Sequence, residues 1–291
     1  MERKSFNTER GHFSFLHWHK KSSQPPILFI HATGFNALTY RTNLEQVSAE
    51  FEIFALDLRG HGFSNASADP HDFDSWDIYI QDILSFLKML PTPIILAGHS
   101  LGSMLCLAIA AKYPEQVKHL LMIEPIIMTP RQCKLWALTK WFGLGNRIEI
   151  ASKAKKRRYI FDSRQHILNS YTGKGAFKTW PKEVLKDYID GGTKVIGSEG
   201  KVQLTCHPDW ESRSFALTAH ETWKWLKLLQ VPNRLIYADH SSTISENSIS
   251  IIHKDYPFIK TSMYHATHFV PMEKKDSLLS ELLLLRSTLQ V

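Results

Sequence analysis

The feature that most constrains this chain is Gly98-His99-Ser100-Leu101-Gly102, set between an aliphatic run, Ile94 to Ala97, and an apolar helical pattern that begins at Leu101. A strand that turns into a helix around one residue forces that residue into a strained backbone conformation. Glycine two positions to either side suits such a turn, because strand and helix then approach too closely for larger side chains at 98 and 102. The turn holds the Ser100 hydroxyl above the strand end, in front of the N-terminal donors of the helix, which favour developing negative charge. A bare G-x-S-x-G is weak evidence, but a flexible serine loop would need neither the strand before it nor the apolar helix after it.

Strand and helix alternate on both sides of this turn. Buried parallel strands are expected at Ile27 to His31, Ile53 to Asp57, Ile94 to Gly98 and Leu120 to Glu124, each a short aliphatic or β-branched run bounded by turn signals. Helical patterns run from about Tyr40 to Ser48, from Trp76 to Leu90, and from Leu101 to Lys112, the last ended by Tyr113-Pro114. This order predicts an α/β fold with a mostly parallel sheet and helices on both faces. After Glu124 the alternation lapses into a long stretch rich in Trp, Lys and Arg, with helical segments but no convincing buried strand. It reads as a helical cap insertion over residues 126–222, between core segments 1–125 and 223–291. Ala216 to Gln230 fits either the last cap helix or the core helix before the next strand. Strand patterns return at Arg234 to Ala238 and Ile259 to Tyr264, and a helix from about Lys275 to Leu285 follows.

Composition narrows the function classes. With 291 residues and 43% hydrophobic content the chain supplies one large core. The net charge of +7 arises from 35 basic against 28 acidic residues, a mild excess. Its densest run, Lys153 to Arg158, holds one uncharged residue, Ala154, and lacks the interleaved aromatics of a base-stacking surface, so no nucleic-acid partner is expected. The run reads as a solvated face, with an anionic substrate or a membrane surface left open. Cys106, Cys133 and Cys206 are too few and too unevenly spaced for a disulfide framework or a metal site, and read as thiols in a reducing compartment. Met1 to Thr8 is polar, and no stretch reaches the roughly 18 apolar residues of a membrane span, which predicts a cytoplasmic protein with no integral membrane segment. No pattern bears on oligomeric state.

Four landmarks then stand in a recognisable order: His31-Ala32-Thr33-Gly34-Phe35, Asp57-Leu58-Arg59-Gly60-His61-Gly62-Phe63-Ser64, the Ser100 turn, and His268-Phe269-Val270-Pro271-Met272-Glu273. Over nearly its whole length the chain resembles the capped α/β-hydrolase fold family, which includes esterases, lipases, thioesterases and haloalkane dehalogenases. The resemblance implies that Ser100 is a nucleophile and that a late histidine takes its proton. His268 fits that place. His265, three residues earlier, lacks the Phe-Val-Pro-Met-Glu that follows His268.

The third member should be a carboxylate between serine and histidine. The family's usual Gly-x-x-Asp is replaced by Ala238-Asp239-His240-Ser241, which puts Ser241 where the aspartate belongs and Asp239 two residues early. Glu124, ending a buried strand beside the expected position of Ser100, is the preferred acid, with Asp239 the alternative. Oxyanion donors are expected from the Leu101 N–H and from Thr33, with Gly34 available if the loop is aimed differently; each donor typically contributes about 3 to 4 kcal/mol. His31, Phe35 and His99 are expected at the substrate-binding site, with His31 and Phe35 shaping the loop or walling the acyl pocket. Asp57 to Gly62 reads as scaffold, because it precedes the serine. Trp136 to Trp141 and Trp223 to Trp225 either line an acyl pocket or pack the cap.

The activity so implied is a serine hydrolase without metal or cofactor, acting on a small-molecule acyl substrate, with a carboxylic ester first in line. Serine at the turn argues against the dehalogenase and epoxide hydrolase branches, whose nucleophile is a carboxylate. Thioesters, amides and carbon–carbon bonds beside a carbonyl are the other substrates open to this chemistry. The rival from another class is a ligand-binding protein that has kept the fold and lost turnover.

Overall fold

The computed structural model describes residues 1–218 and 220–287. The chain opens with a hairpin of β1 (Glu2–Thr8) and β2 (Gly11–Trp18). It then alternates through β3 (Ile27–Ile30), α1 (Arg41–Val47), β4 (Ile53–Leu56), α2 (Asp77–Leu87), β5 (Ile94–His99), α3 (Leu101–Lys112) and β6 (Val117–Ile123). Next come α4 (Pro130–Trp141), α5 (Glu149–Lys155), β7 (Ile160–Phe161), α6 (Arg164–Tyr171), α7 (Lys182–Gly191), β8 (Thr193–Ile196), β9 (Lys201–Leu204) and α8 (Pro208–Ala216). The chain finishes through α9 (Thr222–Leu228), β10 (Asn233–Ala238), α10 (Glu246–Asp255), β11 (Lys260–Tyr264), α11 (Val270–Glu273) and α12 (Ser277–Ser287).

Eight strands form one sheet in the order β1-β2-β4-β3-β5-β6-β10-β11. β1 and β2 run antiparallel to their neighbours, and the remaining pairs are parallel. The central strands are aliphatic throughout because both their faces are covered. In β3, Leu28 and Ile30 join one apolar layer with the α2 and α3 side chains, while Ile27 and Phe29 join the opposite layer with α1 and α12. Parallel register brings the carboxyl ends of β3, β5, β6 and β10 side by side, since Ile30 pairs with Gly98, Gly98 with Met122, and Met122 with Leu235. From β3 the chain moves outward to β4 on one side and then crosses to β5 on the other. The loops after β3 and β5 thus leave the sheet in opposite directions and open a crevice between them, where ligands of open α/β sheets bind.

The structure departs from the sequence expectation in two regions. The N-terminal hairpin carries no alternating signal, because β1 is an edge strand in which Phe6 alone is buried. Residues between β6 and β10 hold a second, three-stranded antiparallel sheet, β7-β9-β8, besides helices. Its strands are two to four residues long with exposed positions in each, too short and too polar to register as buried strands. The ambiguous stretch from Ala216 to Gln230 divides into the end of α8 and a separate α9, which packs on α3. Among the described residues no helix is long and apolar enough to cross a membrane.

The loop after β4 is anchored by a buried ion cluster. Asp82 on α2 accepts from Arg59 Nε at 2.7 Å and Nη2 at 2.8 Å, and from Arg10 Nε at 2.7 Å, with its carboxylate wholly removed from solvent. Removing one partner of such a cluster strands the other charge in the interior. Asp82→Ala is therefore expected to lower unfolding free energy by about 3 to 5 kcal/mol in urea titrations. A loss below about 1 kcal/mol, the range of an exposed pair, would contradict this reading.

Candidate active site

The turn at Ser100 has the strain its sequence implies. Ser100 adopts φ 53° and ψ −116°, its N–H donates to the Ile123 carbonyl at 2.9 Å, and its own carbonyl accepts from Met104 N–H at 3.1 Å. The flanking glycines are required by contact. A Cβ at Gly98 would lie 2.4 Å from the Gly102 carbonyl carbon, and one at Gly102 would lie 2.1 Å from the Ile30 carbonyl oxygen. Backbone meets backbone at both points, so α3 sits directly on β3 and β5 and presents Ser100 at the sheet's carboxyl edge.

Glu124 leaves β6 with φ 47°, a second non-glycine residue in the left-handed region. Its N–H donates to Ile236 at 2.8 Å, and its fully buried side chain turns across the ends of β6 and β10. Oε1 accepts from Ala238 N–H at 2.6 Å and from the Ser242 hydroxyl at 2.8 Å. Oε2 accepts from Thr243 N–H at 3.0 Å and from His268 Nδ1 at 2.9 Å. Burial by itself raises the pKa of this carboxyl, but the hydrogen bond and charge of His268, with the Ala238 and Ser242 donors, hold it below the usual carboxylate range. A carboxylate only accepts, so the His268 proton sits on Nδ1 and Nε2 carries the free lone pair.

Asp239 takes no part in this arrangement. Its oxygens accept from His265 Nδ1 at 2.7 Å, His240 Nδ1 at 2.5 Å and Ala266 N–H at 3.1 Å, an exposed cluster in which His265 first holds its pKa down at about 2. Each of the two acids considered from sequence thus has its own histidine, Glu124 with His268 and Asp239 with His265. The sequence after His268 also acquires a physical role: Glu273 accepts from Thr267 N–H at 2.8 Å and from its hydroxyl at 2.6 Å, and so fixes the loop that presents the imidazole.

Ser100, His268, Thr33, Phe35 and Thr243 line one cavity of about 610 Å³, whose other walls are largely apolar, including Ile126, Phe177, Phe215 and Phe269. That size lies within the usual range for small-molecule sites. The N–H groups of Thr33 and Leu101 are engaged by no hydrogen bond among the described residues. The Gly34 N–H is committed to His61 Nε2 at 3.0 Å, which removes it as the alternative donor. Gly34 is needed there for a different reason, because at φ 76° its Cβ would fall 2.2 Å from Glu211 Oε1.

Two expected substrate contacts lie elsewhere. His31 and His99 are completely buried and do not reach the cavity wall. His31 Nδ1 donates to the Ala32 carbonyl at 2.8 Å and its Nε2 accepts from Leu58 N–H at 3.0 Å. His99 Nε2 donates to the His268 carbonyl at 2.8 Å, while its Nδ1 accepts from the Tyr40 hydroxyl, which in turn accepts from Ala32 N–H. Both bind loops together. Burial depresses His31 to about 4 and His61 to about 3, and pushes His99 well below its ordinary value, so all three are neutral. Trp136 and Trp223 spend their indole N–H groups on Thr218 and Met128 carbonyls, Trp225 is buried against α3, and none of the three lines the cavity.

Sequence reasoning missed two charged residues on the cavity wall. Arg157, read as part of a solvated basic run, turns inward: Nη1 lies 3.2 Å from both oxygens of Glu211, and Nη2 donates to the Tyr188 hydroxyl. Glu211 in turn fills the space above Gly34. The inward turn leaves no trace in a run of like charges.

The neutral histidines set a pH dependence. Their folded pKa values lie below the unfolded value of about 6.5, so the unfolded chain binds more protons as pH falls, and stability present above that point is lost progressively toward pH 4 and 3. Melting temperature should therefore fall between about pH 6.5 and 5, above the carboxylate range. His61→Gln, which keeps a donor and an acceptor but does not titrate, should flatten part of that slope. A pH-independent Tm across this window would refute it.

A sequence model described as the alpha/beta hydrolase fold matches residues 25–275. The human (lyso)-N-acylphosphatidylethanolamine lipase is 31% identical over 108 residues, 36% of this chain and 32% of that protein. An (E)-2-((N-methylformamido)methylene)succinate hydrolase from Acinetobacter baylyi is 27% identical over 160 residues, 48% of this chain and 59% of that protein. The matched region thus spans about a third to three fifths of these curated relatives. Among solved structures, E-2-(acetamidomethylene)succinate hydrolase superposes with a TM-score of 0.80 at 17% identity, covering 98% of this chain and 99% of that one. The thioesterase domain from the curacin biosynthetic pathway gives 0.76 at 20% identity, with 97% and 99% covered. Family match, sheet order and Ser100 turn agree: this chain belongs to the alpha/beta hydrolase fold family.

Proposed function

We propose that this protein is a serine hydrolase that cleaves a carboxylic ester through an acyl-enzyme on Ser100. The observation that carries the reading is the 2.9 Å hydrogen bond from His268 Nδ1 to the buried Glu124 carboxylate, on a wall shared with Ser100. That bond fixes the tautomer in which Nε2 is free to take a proton. Hydrogen bonds between nucleophile and base are often long in the ligand-free state and tighten around substrate.

The chemistry follows from these placements. His268 Nε2 takes the Ser100 proton as Oγ attacks the ester carbonyl carbon, and Glu124 stabilises the imidazolium. Charge on the carbonyl oxygen is met by the uncommitted N–H groups of Thr33 and Leu101, the latter at the start of α3. Collapse breaks the acyl–oxygen bond, and the His268 proton passes to the departing alkoxide. Water, deprotonated by His268, then attacks the acyl-enzyme; the acid leaves and Ser100 recovers its proton. The apolar walls favour a hydrocarbon acyl group. Thioesters and amides pass through the same tetrahedral arrangement, and a structural neighbour named as a thioesterase domain and a relative named as an (E)-2-((N-methylformamido)methylene)succinate hydrolase keep them in the substrate panel.

A fluorophosphonate tests the reading. Wild-type protein is expected to gain one phosphonyl adduct by intact mass, and Ser100→Ala none. On short-chain p-nitrophenyl esters Ser100→Ala and His268→Ala should each lose activity by roughly 10⁴-fold or more. Folded wild-type protein that neither labels nor turns over esters, thioesters or amides would instead mark a binding protein.

A further inference from the structure

The charge of this chain is concentrated. Residues 131–158 hold nine basic side chains and one acidic, Glu149, a net of +8 against +7 for the whole sequence, so the remainder is close to neutral. Of these, Arg131, Lys134, Arg147, Lys155 and Lys156 are exposed and make no ion pair among the described residues.

The same stretch carries apolar side chains the fold does not bury. α4 packs inward through Cys133 and through Trp136, whose indole N–H donates to the Thr218 carbonyl at 2.7 Å. Its other face leaves Leu135, Leu138 and Phe142 exposed at 66%, 56% and 69%, spaced i, i+3, i+7, with Trp141 at the helix end 85% exposed. The turn Leu144–Arg147 joins α4 to α5 and packs on both, and α5 adds an exposed Ile150. An apolar ridge with tryptophan and phenylalanine at its tip thereby shares its own helix with the cations Arg131 and Lys134 and is followed by Arg147 on the next turn.

We propose that this face docks the protein on an anionic lipid bilayer, with α4 lying in the interface. An apolar helix face sinks into the headgroup region while flanking lysines and arginines are drawn to anionic lipids. A second copy is the poorer occupant, because a symmetric contact would bring two such basic clusters together. The face also borders the site: Ile150, Lys153, Ala154 and Arg157, on α5 and the turn after it, line the cavity that contains Ser100. Resting on the hydrolase reading, docking would hand an acyl chain from the bilayer to Ser100 without passage through water.

Vesicle co-sedimentation tests docking apart from catalysis. Ser100→Ala protein is mixed with phosphatidylcholine vesicles, with or without phosphatidylserine, at low and high salt. The expected result is partition onto the anionic vesicles alone, weakened by salt. Trp141→Ala with Phe142→Ala should reduce it roughly tenfold or more, and Lys134→Gln with Arg147→Gln on the order of tenfold. In the otherwise wild-type chain both exposed pairs should keep full turnover of a soluble short-chain ester.

Folded protein that stays in the supernatant, or that binds neutral vesicles equally, overturns the proposal. So does binding that survives the aromatic pair, which would be charge alone, or a wild-type dimer that the aromatic pair converts to monomer, which would assign the face to a second copy. Vesicle binding lost with ester turnover intact removes docking and leaves the hydrolase reading standing; turnover absent with vesicle binding intact does the reverse.

Discussion

One buried carboxylate joins the parts of this site that lie far apart in sequence. Glu124 caps the end of β6, accepts the Ala238 N–H at the end of β10, ties down Ser242 and Thr243, and receives the His268 proton donor. A carboxylate with no solvent access is costly unless its lone pairs are occupied, and here protein donors occupy both oxygens. Ser242 and Thr243 help supply that compensation. Ser242 and Thr243, the two residues after Ser241, thus solvate an acid that comes from another strand.

The second constraint is a set of neutral, fully buried imidazoles. His99 links the serine turn to the His268 loop through the His268 carbonyl and to the loop after β3 through Tyr40 and Ala32. His61 accepts the Gly34 N–H, and His31 joins that loop to Leu58. Each uses one nitrogen to donate and one to accept, which only the neutral ring can do. The loops around the cavity are therefore positioned by hydrogen bonds of fixed direction rather than by apolar packing alone, which suits a site whose donors must be aimed.

Much of this was legible in the sequence where the signal is local. The glycine spacing around Ser100 and the aliphatic strands at 27–30, 53–56 and 94–99 follow from contacts within a few residues or from burial of both sheet faces. The choice between Glu124 and Asp239 was less legible, because the bond from Glu124 to His268 spans 144 positions and each acid lies at the end of an adjacent parallel strand. His31 does shape its loop, through Ala32 and Leu58, whereas neither it nor His99 lines the cavity; a buried imidazole bridging backbone groups and one facing a ligand leave the same mark in a sequence. Arg157 was hidden in its run of like charges, and β1 has too little buried surface to announce a strand.

The central claim is that Glu124, and not Asp239, orients and balances the histidine opposite Ser100. Its most direct test is kcat/KM on a soluble short-chain ester for Glu124→Gln and Asp239→Asn, each checked for an unchanged fold by circular dichroism. Glu124→Gln should fall by roughly 10⁴-fold, as expected when the imidazole loses its tautomer and its counter-charge, while Asp239→Asn stays close to wild type. The opposite ranking would move the acid to Asp239 and contradict the account.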